Sequence, residues 1–340
     1  MKRTLPLILL FLTGCSSIGQ AAAPQINPTA AVQTAVALQV VTLGSQQTAV
    51  ALQVKTMSAA LPTRPPTALP TQAPDQPVVQ MTVTATKPVI PSLTPGPSPT
   101  PENNLTAQGW GQAPIIPTPG ERAREIYQRG LLMGNDPHHY SVAGDCQSVP
   151  NVFMGTFDTD RYRLSDKDTS LEETIINFKT QFGRDGVAVK DGFGISSILN
   201  PMMADTKMCQ PSETPLDCEF RINKPSILFI NMGTNWKNSS AEAYEKYLRQ
   251  VVDYSLERGV LPILSAKIDN VEGDHSINKV TAAVAHDYDL PYWNLWLAAD
   301  NLPNHGLDSD RGNVYFSVDA QYLREISGLR ALDAVWRGVR

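Results

Sequence analysis

Between Pro62 and Pro119 the chain carries fifteen prolines, set among Thr, Ala, Ser and Gln with few aromatic residues. Proline lacks a backbone donor and fixes its own φ, so such a stretch can sustain neither a helix interior nor a central strand. It also holds too little apolar surface to offset the chain entropy of ordering it. The composition predicts a disordered, extended spacer over residues 62–120, with a contour approaching roughly 180 Å at about 3.1 Å per residue. Any packed core must therefore lie beyond it, in residues 121–340, a length sufficient for one sizeable domain.

The residues before the spacer read as an export and tethering device. Lys2 and Arg3 give a positive start, Leu5 to Leu12 form a short apolar run, and "LTGC" ends at Cys15. The run is too short for a membrane-spanning helix and has the layout of a signal peptide over residues 1–15. Over residues 16–61 the composition is rich in Ala, Thr and Gln. The octapeptide "QTAVALQV" occurs at Gln33–Val40 and again at Gln47–Val54, an offset of two heptads. Apolar residues fall on a/d-like positions, but Gly44-Ser45 interrupts them and flanking charges are missing. A short coiled segment, with an oligomer following from it, and a low-complexity stalk are both compatible with the pattern.

The ending "LTGC" resembles the lipobox of bacterial lipoproteins, in which the residue matching Cys15 is lipidated and becomes the mature N-terminus. That resemblance implies a membrane partner through two acyl chains, a stable anchor, and an extracytoplasmic, cell-surface location. Three cysteines then remain. In an oxidising location Cys209 and Cys218, flanking the polar loop "QPSETPLD", are expected to pair, leaving Cys146 free. No His/Cys cluster has metal-binding spacing, so neither metal nor cofactor is expected. Net charge is −5 with no basic tract, which argues against a nucleic-acid partner.

Beyond Glu121 the pattern alternates. Apolar, β-prone runs at Ser141–Ala143, Gly186–Val189, Ser226–Met232, Val260–Ser265 and Leu290–Leu295 are interleaved with helical patterns. The helical patterns cover Leu171–Phe182, Ala241–Glu257, Ile277–Asp287 and Gln321–Val335. The order predicts an α/β fold with a five-stranded parallel sheet covered on both faces. Ligands of such sheets bind beyond the carboxyl ends of the strands.

Those ends read "GDC" at Gly144–Cys146, "KDGFG" at Lys190–Gly194, "NMGTNW" at Asn231–Trp236, "KIDNVEGDH" at Lys267–His275, and "LPNHGLDSDRGNVYFS" at Leu302–Ser317. In this order the motifs resemble the SGNH (GDSL-type) hydrolases, whose fold is a flavodoxin-like three-layer αβα sandwich. The resemblance covers roughly residues 138 to 338. It puts Cys146 at the nucleophilic Ser position. Gly192 (or Gly194) and Asn235 fall at the oxyanion positions. Tyr315 stands where the family has its catalytic His, and Gly312 where the supporting Asp belongs.

Both reacting groups thus depart from the pattern while the oxyanion positions keep it. A Tyr with an ordinary pKa near 10 is a poor general base at neutral pH. A Cys is a strong nucleophile only with thiolate character. His305, in the same final loop, is a candidate substitute base, and His275 is a second. Trp236, directly after Asn235, is a candidate to face a sugar or other ring. Two functions stay open on these residues. One is a degenerate, non-catalytic domain that binds a glycan or a protein partner. The other is an active hydrolase of O-acyl or small esters, using Cys146 or a rearranged dyad.

Overall fold

The structure is a computed structural model and describes residues 109–236 and 239–340. The signal peptide, the 16–61 stalk, the coiled segment and the spacer up to residue 108 lie outside the described residues, as does the lipidation position Cys15. Elements are numbered in chain order: α1 (Glu121–Leu132), β1 (Asp136–Gly144), α2 (Glu172–Asn177), α3 (Pro215–Asn223), β2 (Pro225–Asn231) and α4 (Ala241–Glu257). They continue with β3 (Leu261–Ser265), α5 (Ser276–Asp287), β4 (Tyr292–Trp293), α6 (Leu295–Ala298) and α7 (Val318–Val339).

The four strands form one parallel sheet in the order β1-β2-β3-β4. Ile227 pairs with Leu261 and Leu264 with Tyr292, while Gly144 lies beside Asn231. Every residue of β2 and β3 is buried, the signature of strands covered on both faces. Two helix pairs supply the cover: α1 packs with α7, and α4 packs with α5. The pattern "AEAYEKYLRQVVDYSLE" places Tyr244, Leu248, Val251, Val252, Ser255 and Leu256 on one buried stripe, and Ser240 caps it by accepting the Ala243 N–H at 3.2 Å. Among the described residues no helix is long and apolar enough to cross a membrane.

The sheet has four strands where the sequence predicts five. The expected strand at Gly186–Val189 is reduced to a single parallel bridge between Val189 and Gly144. The Gly144 N–H donates to the Ala188 carbonyl at 3.2 Å, the Lys190 N–H donates to the Gly144 carbonyl at 3.2 Å, and pairing stops there. Glu219 of α3 is buried beside this bridge. Its carboxylate, fully buried, accepts the Val187 N–H at 2.8 Å and the Ser141 hydroxyl at 2.6 Å. Arg184 completes the group by donating to the same carboxylate. The carboxylate thus ties α3 to β1 and to the run before the bridge.

The packed domain also reaches further toward the N-terminus than the expected boundary at residue 121. Trp110 is buried, and the buried Asn294 side chain donates to the carbonyls of Trp110 (3.0 Å) and Ala113 (2.9 Å). Cys209 and Cys218 are joined in a disulfide with Cα atoms 5.2 Å apart, which leaves Cys146 as the free cysteine among the described residues.

Candidate functional site

The site is built where β1 runs into a sharp turn. Gly144 ends the strand, and the one-turn helix Cys146–Ser148 folds back so closely that a Cβ on Gly144 would meet the Ser148 Cβ at 2.2 Å. Glycine is therefore required there for space rather than for backbone angle. Asp145 caps the turn, its carboxylate accepting the Gln147 N–H at 2.9 Å. Arg324 of α7, almost wholly buried, clamps the other side by donating to the Gln147 carbonyl and, at 3.3 Å, to the Ser148 hydroxyl. Burial pulls its guanidinium down to about 10.

Cys146 is half-buried at the lip of this turn. Its thiol is pushed up to about 11, first by burial, then by the charge of Asp145, and then by a hydrogen bond to Asp191. Each of these effects favours the neutral thiol. A nucleophilic Cys needs the opposite, a cation or imidazolium beside it. The groups that act on Cys146 are carboxylates, and no histidine is among them.

The glycine loop and the loop after β2 meet beside this turn. Asp191 and Gly192 follow the Val189 bridge, and Gly192 is exposed with a left-handed φ of 78°. The Gly194 N–H is donated to the Ser197 hydroxyl at 3.1 Å. Asn235 donates one amide hydrogen to the Phe193 carbonyl at 3.1 Å, tying the loop after β2 to the glycine loop. Thr234 anchors the same loop from below, donating to Asp269 at 2.7 Å. Trp236 is half-buried. Its indole N–H donates to the Ser240 carbonyl at 3.0 Å, and its ring lies 5.9 Å from Tyr244 and 5.8 Å from Tyr247.

Tyr315 and His305 lie on the final loop. Tyr315 is exposed at 36% of its surface, with the Arg311 guanidinium 3.8 Å from its ring centroid. Its loop meets the Cys146 turn through Gln147, whose side-chain amide donates to the Val314 carbonyl at 3.2 Å. Among the described residues no hydrogen bond joins Cys146 to Tyr315 or to any histidine. His305 instead packs on Trp296 at 4.7 Å, and His275 packs on Trp110 at 5.5 Å and on Trp296 at 5.8 Å. Burial lowers the pKa of both imidazoles.

Beneath the turn lies a small cavity lined by Asp145, Ser148, Asn231, Thr234, Lys267 and Arg324. Its space, about 20 Å³, admits one water-sized group. Its walls include Asp145 and Thr234, the immediate neighbours of Cys146 and Asn235. Lys267 is held there by Asp269 and Glu272, each at 2.6 Å. Among the described residues the one grouping of metal-ligating types is Cys209, Glu213 and Cys218, and its two sulfurs are tied up in the disulfide.

Sequence reasoning missed Asp191, Arg324 and Trp110. Asp191 had a signal, since it adjoins Gly192 in the quoted "KDGFG". Arg324 had none, because an Arg inside a long helical pattern reads as solvated. Trp110 was hidden by the prolines around it. In comparisons with known proteins, no family model matches the chain, and no curated protein matches it in sequence.

Proposed function

We propose that this chain is a surface-tethered lipoprotein, anchored through Cys15, whose SGNH-hydrolase-like domain binds a ligand at its strand ends without cleaving esters. The observation that carries this is the setting of Cys146. A thiol held at about 11 by burial and two carboxyl groups is only about one part in ten thousand thiolate at pH 7. The position that resembles the family's general base holds Tyr315, whose ring is covered by Arg311. Both departures remove reactivity, while the loops around Gly192 and Asn235 stay cross-linked by hydrogen bonds.

A glycan is the ligand class this surface suits best, with a protein partner as the alternative. Trp236 offers a partly exposed aromatic face, and the Tyr315–Arg311 pair offers a second beside a cation. Aromatic faces pack on the apolar faces of rings, and a guanidinium supplies forked donors to oxygen. The test is equilibrium binding of the full-length chain to a panel of neutral and acylated polysaccharides. Binding that weakens by about tenfold or more in both Trp236→Ala and Tyr315→Ala supports the reading. Absence of binding to every polysaccharide, or binding untouched by both substitutions, sinks it.

A further inference from the structure

Beyond the carboxyl ends of β3 and β4 four rings pack into one nest. Trp110, from the segment that joins the Pro-rich stretch to the domain, lies 4.8 Å from Trp296, and both indoles contact His275. His305 joins the nest by packing on Trp296 with ring centroids 4.7 Å apart. Each imidazole keeps one ring nitrogen buried with no hydrogen-bond partner, Nδ1 of His275 and Nε2 of His305. Both residues also sit in the left-handed backbone region, with φ of 55° and 52°, beside Asn304 at 49°. Non-glycine residues hold such angles only when their surroundings impose them.

The nest secures the chain entering the domain. Asn294 donates its side-chain amide to the Trp110 and Ala113 carbonyls, and its backbone N–H to the Ile115 carbonyl at 3.1 Å. A Cβ on Gly111 would lie 3.3 Å from the Trp296 ring, so the segment is seated at contact distance. We propose that this nest is a pH-gated latch, in which protonation of His275 and His305 releases Trp110 and residues 110–115 from the domain.

The electrostatics run in that direction. Burial is the leading effect on both imidazoles and opposes their charging. Around His275, Lys267 and Lys279 also oppose protonation while Glu272 and Asp274 favour it; around His305, His275 opposes it while Asp300 and a hydrogen bond to the Trp296 backbone favour it. The segment 110–115 itself, Trp-Gly-Gln-Ala-Pro-Ile, brings no charge to the nest. A second protonated ring at the same indole adds repulsion to the first. With both pKa values depressed in the closed state, the latch is intact above the ordinary histidine pKa near 6.5, weakens as pH falls from there toward the lower closed-state values, and loses no more below them.

Amide hydrogen exchange on the full-length chain, corrected for intrinsic rates, tests this at about pH 7 and about pH 5. The reporters are the Asn294 amide, which donates to Ile115, and the Gln112 and Ala113 amides; Leu248 and Val251 in α4 serve as the internal reference. The expected result is a fall in protection of about tenfold or more at the reporters, with the reference unchanged. In the double variant His275→Phe/His305→Phe, which keeps a ring at both places and removes the titration, that fall should disappear. Equal protection at the two pH values in the parent chain overturns the latch without recourse to any variant. So does an equal fall in the double variant, or a parallel fall in α4.

Discussion

Alkylation of Cys146 gives the account a quantitative handle. A thiol held at about 11 has a thiolate fraction some 300-fold below that of a free cysteine near 8.5, because the difference is about 2.5 units. The higher basicity returns part of this: with a Brønsted coefficient near 0.45 the thiolate is intrinsically about 13-fold more reactive. The net expectation is a rate at pH 7.4 roughly 20- to 30-fold below that of a free thiol. Half-burial of the side chain can only slow it further. The assay is reaction of the folded chain with iodoacetamide, followed by mass spectrometry of the peptide containing Cys146, which keeps it separate from the Cys209–Cys218 pair and from Cys15. The rate should climb tenfold per pH unit past pH 9 and level off only near 11. Asp191→Asn removes one of the groups that favour the neutral thiol, and should lower the inflection and speed the reaction several-fold at pH 8. An inflection at or below about 8.5 in the parent, or a rate matching that of an activated thiolate, would refute the reasoning.

Two further outcomes are expected. In a bacterial host given labelled fatty acid, the parent chain should take up label and fractionate with membranes, and Cys15→Ala should do neither; an unlabelled parent removes the anchor from the account. Glu219→Ala should destabilise the domain by about 3 kcal/mol, the lower end for a broken buried pair because Arg184 keeps partial solvent access. For a domain of this size that is a fall in Tm of roughly 6–12 °C by calorimetry, and a change within a degree or two contradicts the role given to the carboxylate.

Much of the fold was legible because its strongest signals are local. Ala241–Glu257 matches α4 at both ends, since Ser240 and a regular apolar stripe mark it without help from the rest of the chain. β2 and β3 were legible as continuous apolar runs. The fifth strand was not: the run "GVAV" keeps one bridge to Gly144, and how far a short apolar run pairs is set by its tertiary neighbours rather than by its own pattern. Helix α3 was missed for a related reason: it is short, and its capping box at Thr214 and Asp217 lies inside a stretch that reads as a disulfide-pinned loop. At the site, the turn after β1 and its glycine were visible in "GDC". The chemical state of Cys146 was not, because it is set by burial and by Asp191 across a loop. His305 resembled a substitute base in one dimension, and its packing on Trp296 places it in another cluster.

The most direct measurement is steady-state hydrolysis of a short-chain aryl ester such as 4-nitrophenyl acetate by the full-length chain at about pH 7. The account predicts no nitrophenol release above buffer beyond one equivalent per thiol. Sustained turnover that disappears in Cys146→Ala, and falls by about 10²–10³ in Asn235→Ala as for a lost oxyanion donor, would contradict it and identify an active ester hydrolase.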